Sequence, residues 1–174
     1  MTRAAGLVAT LCLVALHAQA PAPAPTHHVD RAQLMRDVAT LSAPSMEGRA
    51  VGTPGGVRAR QWIDEQFRGA GLMPAGTAGY SQPFTFGRSQ THAANVVGRV
   101  TGRNPSLPIM VITAHYDHLG IRRGVLYPGA DDNASGVAVL LAAARHFVAA
   151  GMRVCLVDWS DAARKSGTTG PAPP

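Results

Sequence analysis

Along much of the chain, apolar residues return every three or four positions, which is the spacing of one face of an α-helix. A first helix is predicted to begin directly after Asp30, a residue type that commonly caps helices. A second is predicted behind Thr53, over about 56–70, with Gly71 as its stop. A third, over 136–150, is apolar on nearly all sides, which is typical of a buried helix.

Four shorter segments have the patterns of β-strands. Residues 80–86 alternate in polarity, and Pro83 restricts this strand to a sheet edge, while 94–100 is a second candidate. Residues 108–114 are almost continuously apolar, as expected for a central strand covered on both faces, and 153–159 read the same way. Strand, buried helix and strand form a βαβ unit. The predicted fold is therefore α/β, with a mixed central sheet and helices on both faces.

The first twenty residues have the features of a secretory signal peptide. A positive start at Arg3 precedes an apolar run, and Ala18-Gln19-Ala20 offers a small-x-small cleavage site. The run has about eleven residues, where a membrane span needs roughly 20. We expect cleavage after Ala20, then a Pro/Ala-rich linker over 21–29, and a secreted or periplasmic protein with no membrane partner after cleavage.

The charge and the cysteine content of the chain mainly exclude certain functions and certain kinds of site. The chain has 174 residues, with 16 Lys and Arg against 10 Asp and Glu, for a formal charge of +6. The arginines are mostly scattered singly and Lys165 is the only lysine, so no basic stripe predicts nucleic-acid binding. Signal cleavage would leave Cys155 as the only thiol, which excludes an intramolecular disulfide and a cysteine-based zinc site. No pattern indicates an oligomeric state.

Two polar clusters stand where the predicted βαβ unit would place a ligand site. His115 and Asp117 follow the strand 108–114, and side chains two apart in a strand point the same way. Asp131 and Asp132 crowd the entrance of the third helix, where a cap needs only one of them. Each cluster alone is also compatible with a polar turn or a helix cap. Together, imidazole and carboxylate ligands suit zinc or another first-row divalent ion.

Four blocks of the chain resemble the zinc-dependent aminopeptidases and related peptidases of the M28 type. The most specific block joins residues 113–120 to residues 127–136, which contain Asp131-Asp132-Asn133. The resemblance extends from about residue 34 to 160 and implies a zinc-peptidase-like αβα sandwich. It also implies peptide substrates, hydrolysis of N-terminal peptide bonds by metal-activated water, and two zinc ions. The other blocks are residues 45–55, the helix around Trp62-Ile63, and 95–98.

The resemblance assigns roles to individual residues. His115 would ligate one zinc, Asp117 would join the catalytic site by orienting His115, and Asp132 would bridge the two ions. A cis peptide bond is implied between Asp132 and Asn133. The Gly- and Pro-rich block 45–55 has no assigned chemistry and is expected to pack near the site without regular structure. Five further histidines receive no role: His27, His28, His92, His118 and His146.

The chain departs from the family pattern after its last predicted strand. There the family has an adjacent Glu-Glu pair, the general base and a metal ligand, and further Asp and His ligands follow. Residues 160–167 contain no glutamate, so the resemblance supplies only His115 and Asp132 as ligands, whereas catalytic zinc normally takes three. GC-rich codons for 163–167 can encode Glu-Glu in another frame. We expect an incomplete domain over 30–162, a disordered out-of-frame tail over 163–174, and no activity as written.

Two alternatives to a secreted aminopeptidase stay open. The first is a non-catalytic secreted module, either a fragment or a subunit completed by another chain. The second is an enzyme resembling the single-zinc glutaminyl cyclases of the same fold. Metal titration separates the first alternative from a two-zinc enzyme.

Overall fold

The structure is a computed structural model that describes residues 29–102, 104, 106 and 108–150, together with the backbone of a strand at 154–158. Several predictions lie outside these residues. They concern the signal peptide, the linker up to residue 28, the side chain of Cys155 and the tail 163–174.

Three α-helices form where the apolar spacing predicts them. The Asp30 carboxylate caps the first by accepting a 2.9 Å hydrogen bond from the Gln33 amide. The Thr53 hydroxyl caps the second by accepting one of 3.3 Å from the Gly56 amide. Gly71, with φ of 82°, follows the second helix as predicted. The helices are α1 (Arg31–Leu41), α2 (Pro54–Gly69) and α3 (Ser135–Ala150).

Two short helical turns flank the candidate site. The block 45–55, for which no regular structure was expected, begins with a 3-10 helix over Pro44–Arg49. Glu47 and Gly48 break this turn with φ values of 48° and 64°. A π-helical turn over Ala130–Ala134 leads directly into α3.

The described strands are β1 (Met73–Pro74), β2 (Ser81–Phe86), β3 (Thr91–Val100), β4 (Met110–Ala114), β7 (Val154–Asp158) and a separate hairpin of β5 (Gly120–Arg122) and β6 (Val125–Tyr127). Five of them form one mixed sheet in the order β1-β3-β7-β4, with β2 also paired to β3. Strand β3 is antiparallel to β7, and β7 is parallel to β4, so β4, α3 and β7 are the predicted βαβ unit. The mixed α/β class is therefore confirmed.

The position of β4 differs from the prediction of a central strand covered on both faces. In the described part of the sheet it stands at the end of the strand order and pairs with β7. The crossover through α3 places β7 between β3 and β4, and the described residues leave Val111 58% exposed. The apolar run correctly predicts a strand, but it does not reveal which strand pairs on each side.

One hydrophobic core joins all three helices to the inner face of β3. A Cβ atom at Gly98 of β3 would lie 2.7 Å from the Leu72 side chain and 2.8 Å from Phe67, so α2 packs closely on the strand. The span Ala130–Ala150 is long and apolar enough by composition to cross a membrane, and about a third of its most apolar part is buried in the protein, where α3 contributes to this core. Among the described residues, the apolar ones with no exposed surface are Leu41, Ala59, Ile63, Phe67, Ala134, Val137, Ala138, Leu141 and Ala144.

Candidate metal centre

The end of β4 and the entrance of α3 bring the two predicted metal ligands together. His115 directly follows β4, and its Nε2 atom lies 3.2 Å from Oδ1 of Asp132. Asp132 belongs to the π turn that precedes α3, and its side chain is 68% exposed. The pair is therefore accessible from solvent, as a site for a metal and a substrate must be.

The spacing of this pair fits two ligands of one zinc ion. With metal–ligand bonds of about 2.0–2.2 Å, neighbouring ligand atoms around tetrahedral zinc lie about 3.3 Å apart. The described residues contain no group of three or more His, Cys, Asp or Glu side chains that could hold a metal ion. His115 and Asp132 thus fit part of a zinc site.

The backbone of Asp117 contacts the other ring nitrogen of His115. His115 Nδ1 lies 3.1 Å from the main-chain oxygen of Asp117 and 3.7 Å from its carboxylate Oδ1. Only the first distance is within hydrogen-bond range. When Nδ1 carries the proton and donates a hydrogen bond to this carbonyl, Nε2 keeps its lone pair. Nε2, the nitrogen that faces Asp132, can then bind a metal.

Asn133 connects the end of the strand to the start of the helix. Its Nδ2 donates a 3.2 Å hydrogen bond to the carbonyl of His115, and its Oδ1 accepts one of 3.1 Å from the Gly136 amide. A Cβ atom at Gly136 would lie 2.3 Å from Asn133 Oδ1, so a larger residue there would displace the Asn133 side chain. The peptide bond between Asp132 and Asn133 is cis, as the resemblance implies.

A fully buried guanidinium, that of Arg49, joins the two loops that carry the candidate ligands. Arg49 Nε donates to the carbonyl of Tyr116 at 2.7 Å, beside His115. Nη1 donates to Pro128 at 2.6 Å and Nη2 to Gly129 at 2.7 Å, in the loop that leads to Asp132. A further bond from Nη1 reaches the last residue of α1.

The role of Arg49 was not predicted from the sequence, although the expected packing of the block 45–55 near the site is confirmed. The neighbouring glycine explains part of this packing. A Cβ atom at Gly48 would lie 2.3 Å from the carbonyl of Tyr127 and 2.8 Å from the Cα of Gly120, so only glycine lets the block touch the hairpin. A single arginine inside a Gly-rich turn is the only sequence signal for this arrangement.

His118 is a second histidine at the site, and the family resemblance assigns it no role. Its Nδ1 lies 3.3 Å from Oδ2 of Asp132, and its side chain is 13% exposed. His115 and His118 therefore face different oxygens of the same carboxylate. Its position three residues after His115, in the same loop, is the signal that could have suggested it.

Comparison with known proteins agrees with the resemblance. Residues 95–159 match the model of Peptidase family M28. The Probable leucine aminopeptidase 1 of Trichophyton verrucosum (strain HKI 0517) is 30% identical over 119 residues, which are 67% of this chain and 31% of that protein. These matches support a peptidase-type α/β protein of the M28 family type.

Two other proteins match different lengths of the chain. The BOS complex subunit NCLN of Homo sapiens is 53% identical over 55 residues, 31% of this chain and 10% of that protein. The crystal structure of an Acidobacteriales bacterium glutaminyl cyclase has a TM-score of 0.63 at 21% identity, and the match covers 83% of this chain and 52% of that one. The second likeness shows a shared fold. The chain spans about a third of the length of the aminopeptidase and about half of the cyclase.

Proposed function

We propose that the chain is part of a secreted, zinc-dependent aminopeptidase in which His115 and Asp132 hold zinc beside the N-terminus of a peptide. The observation that carries the proposal is the 3.2 Å approach of His115 Nε2 to Asp132 Oδ1 at the carboxyl end of β4. Bound zinc supplies Lewis acidity, which lowers the pKa of water and polarises a peptide carbonyl. The secreted location rests on the signal-peptide features of residues 1–20.

In this proposal the chain's own residues hold the two ligands in place. The carbonyl of Asp117 orients the His115 ring, and the Asn133 amide ties the strand end to α3. Asp132 stays exposed, so that a peptide can reach it. The general base and the remaining ligands belong to residues outside the described part, and the chain as written is proposed to be inactive.

A second candidate is a non-catalytic module that works inside a larger assembly. It is favoured by the 53% identity over 55 residues with a protein named as a complex subunit. It is also favoured by the partial ligand set of the described residues. This candidate predicts that zinc does not bind to the isolated chain.

Zinc titration of the full chain tests the metal centre. We expect competition against a chromophoric chelator to show binding that falls by more than roughly 100-fold in His115→Ala and Asp132→Ala, because each removes a ligand. The exposed His92 on β3 gives the matched control, and His92→Ala should bind zinc like the unchanged chain. Equal affinity in His115→Ala and the unchanged chain would exclude the proposed centre.

The reaction is tested at the level of the gene and then of the enzyme. Sequencing the gene through codon 163 shows whether another frame continues with Glu-Glu. The protein restored in that frame should hydrolyse leucine p-nitroanilide and lose this activity in His115→Ala. Cyclisation of an N-terminal glutamine without hydrolysis would instead assign the chain to the glutaminyl-cyclase type.

A further inference from the structure

Asp132 makes a second imidazole contact that the proposed function does not use. His115 approaches Oδ1 at 3.2 Å, whereas His118 approaches Oδ2 at 3.3 Å through its Nδ1 atom. The His118 side chain is the less exposed of the two. An exposed carboxylate is thus held between one ring that opens to solvent and one that is largely enclosed.

Two contacts from neighbouring segments hold His118 in this position. Its backbone amide donates a 3.3 Å hydrogen bond to the carbonyl of Arg49, whose own side chain is bonded to both loops of the site. Its ring lies against Gly129, where a Cβ atom would stand 2.5 Å from the ring Cγ and 2.6 Å from Cδ2. Gly129, with φ of 60°, leaves the space that the ring occupies. The orientation of His118 is therefore fixed by the fold around it.

We propose that His118 is a positioning residue for Asp132, with its Nδ1–H group donating a hydrogen bond to Oδ2. This bond holds the carboxylate so that Oδ1 faces Nε2 of His115. A carboxylate oxygen has more than one lone pair, so Oδ2 can accept this bond and still face a cation. Groups that orient a ligating carboxylate in this way strengthen metal binding. The role in metal binding rests on the proposed function, whereas the contact itself belongs to the metal-free chain.

Two substitutions of His118 separate donation from ligation. His118→Ala removes the donor, and its zinc affinity should fall about 10–100-fold, the range found when groups behind metal ligands are removed. His118→Asn keeps an N–H donor at the δ position but has no imidazole lone pair, so it should recover most of that affinity. His92→Ala is the matched control, and His115→Ala is the reference for loss of a ligand.

The outcomes decide between this inference and the proposed function. Unchanged affinity in His118→Ala, beside a loss in His115→Ala, overturns the positioning role and leaves the proposed function standing. A loss in both His118 variants as large as that in His115→Ala identifies His118 as a ligand and likewise overturns the positioning role.

A metal-free measurement decides the case in which no zinc binds at all. Long-range ¹H–¹⁵N spectra of the full chain should show the neutral His118 ring as its Nδ1–H tautomer, with a change in Asp132→Ala. The Nε2–H tautomer in the unchanged chain would exclude donation from Nδ1, whatever the zinc titration shows. The tautomer thus tests the inference even if the proposed function fails.

Discussion

Asp37 on α1 and Arg145 on α3 form an ion pair across the helical layer, with Arg145 Nη1 2.6 Å from Asp37 Oδ2. Gln33 donates a 2.7 Å hydrogen bond to the other carboxylate oxygen, and Arg145 Nη2 donates one of 3.0 Å to Gln66 on α2. Asp37 is 1% exposed and Arg145 28%. The pair therefore fastens α3, whose first turn follows Asp132, to both other helices.

The two halves of this pair should differ in their effect on stability. Arg145→Ala leaves a buried carboxylate without its cation and should lower the free energy of unfolding by about 3–5 kcal/mol. Asp37→Ala should cost less, because the partly exposed Arg145 can turn to water. Urea denaturation measures both. Arg68→Ala, from an exposed pair with Asp64, is the control and should change stability by less than about 1 kcal/mol.

Arg49 should be among the most sensitive positions for stability. Arg49→Met leaves several carbonyls without their donor, and we expect a loss of about 3–5 kcal/mol in urea denaturation. Arg49→Lys should recover only part of this, because an ammonium group lacks the planar fork of donors. The exposed Arg99 on β3 provides Arg99→Met as a control. Equal losses of stability in Arg49→Met and Arg99→Met would contradict the conclusion that Arg49 holds the two loops together.

Two glycines near the site both have left-handed backbone conformations. Replacing each by alanine distinguishes the cost of backbone strain from the cost of steric crowding. A Cβ atom at Gly129 would lie 2.4 Å from the carbonyl of Asp132 and 2.5 Å from the His118 ring, whereas one at Gly124 would meet nothing within 4 Å. Gly124→Ala should therefore cost only the backbone term of about 1–2 kcal/mol. Gly129→Ala should cost more and should also weaken zinc binding. Similar zinc affinity in the two variants would contradict this account of the site.

Stability should fall at high pH through Tyr80. Burial raises the pKa of the Tyr80 phenol, whose hydroxyl donates a 2.5 Å hydrogen bond to the carbonyl of Leu72. In the unfolded chain the Tyr80 phenol ionises near pH 10, which is below its pKa in the folded chain. Its contribution to the free energy of unfolding is therefore fully present below about pH 10 and is lost as pH rises toward the folded pKa. The loss is at most about 1.4 kcal/mol per pH unit. Urea denaturation across this range should show the loss, and Tyr80→Phe should remove it. The exposed Tyr127 provides the control, since Tyr127→Phe should keep the loss.

Local features of this fold follow from the sequence because their causes are local. Asp30 and Thr53 cap the helices that directly follow them, and each bonds a backbone amide three residues away. His115 and Asp132 could also be proposed as partners, since strand ends and helix entrances meet at one edge of an α/β sheet.

The roles of Arg49 and His118 could not be predicted from the sequence. Their contacts depend on the folded backbone and not on residue types that a sequence pattern could reveal. Arg49 bonds carbonyls 67 to 80 residues away, and a carbonyl is present at every position of a chain. The contact between His118 and Asp132 depends on the space above Gly129, which exists only after the loop has folded. The pairing of β4 is similar, since an apolar run does not specify the neighbours of a strand.

The unpaired edge of β4 has a consequence for how the site around His115 forms. His115 follows the last residue of this strand, and within the described part of the chain the side of β4 away from β7 has no partner. A strand that pairs along this side would place one of its ends near the imidazole, so completion of the sheet would also complete the surroundings of His115. A change that prevents this pairing is therefore expected to disturb the site around His115 and to leave an apolar sheet edge exposed at the same time.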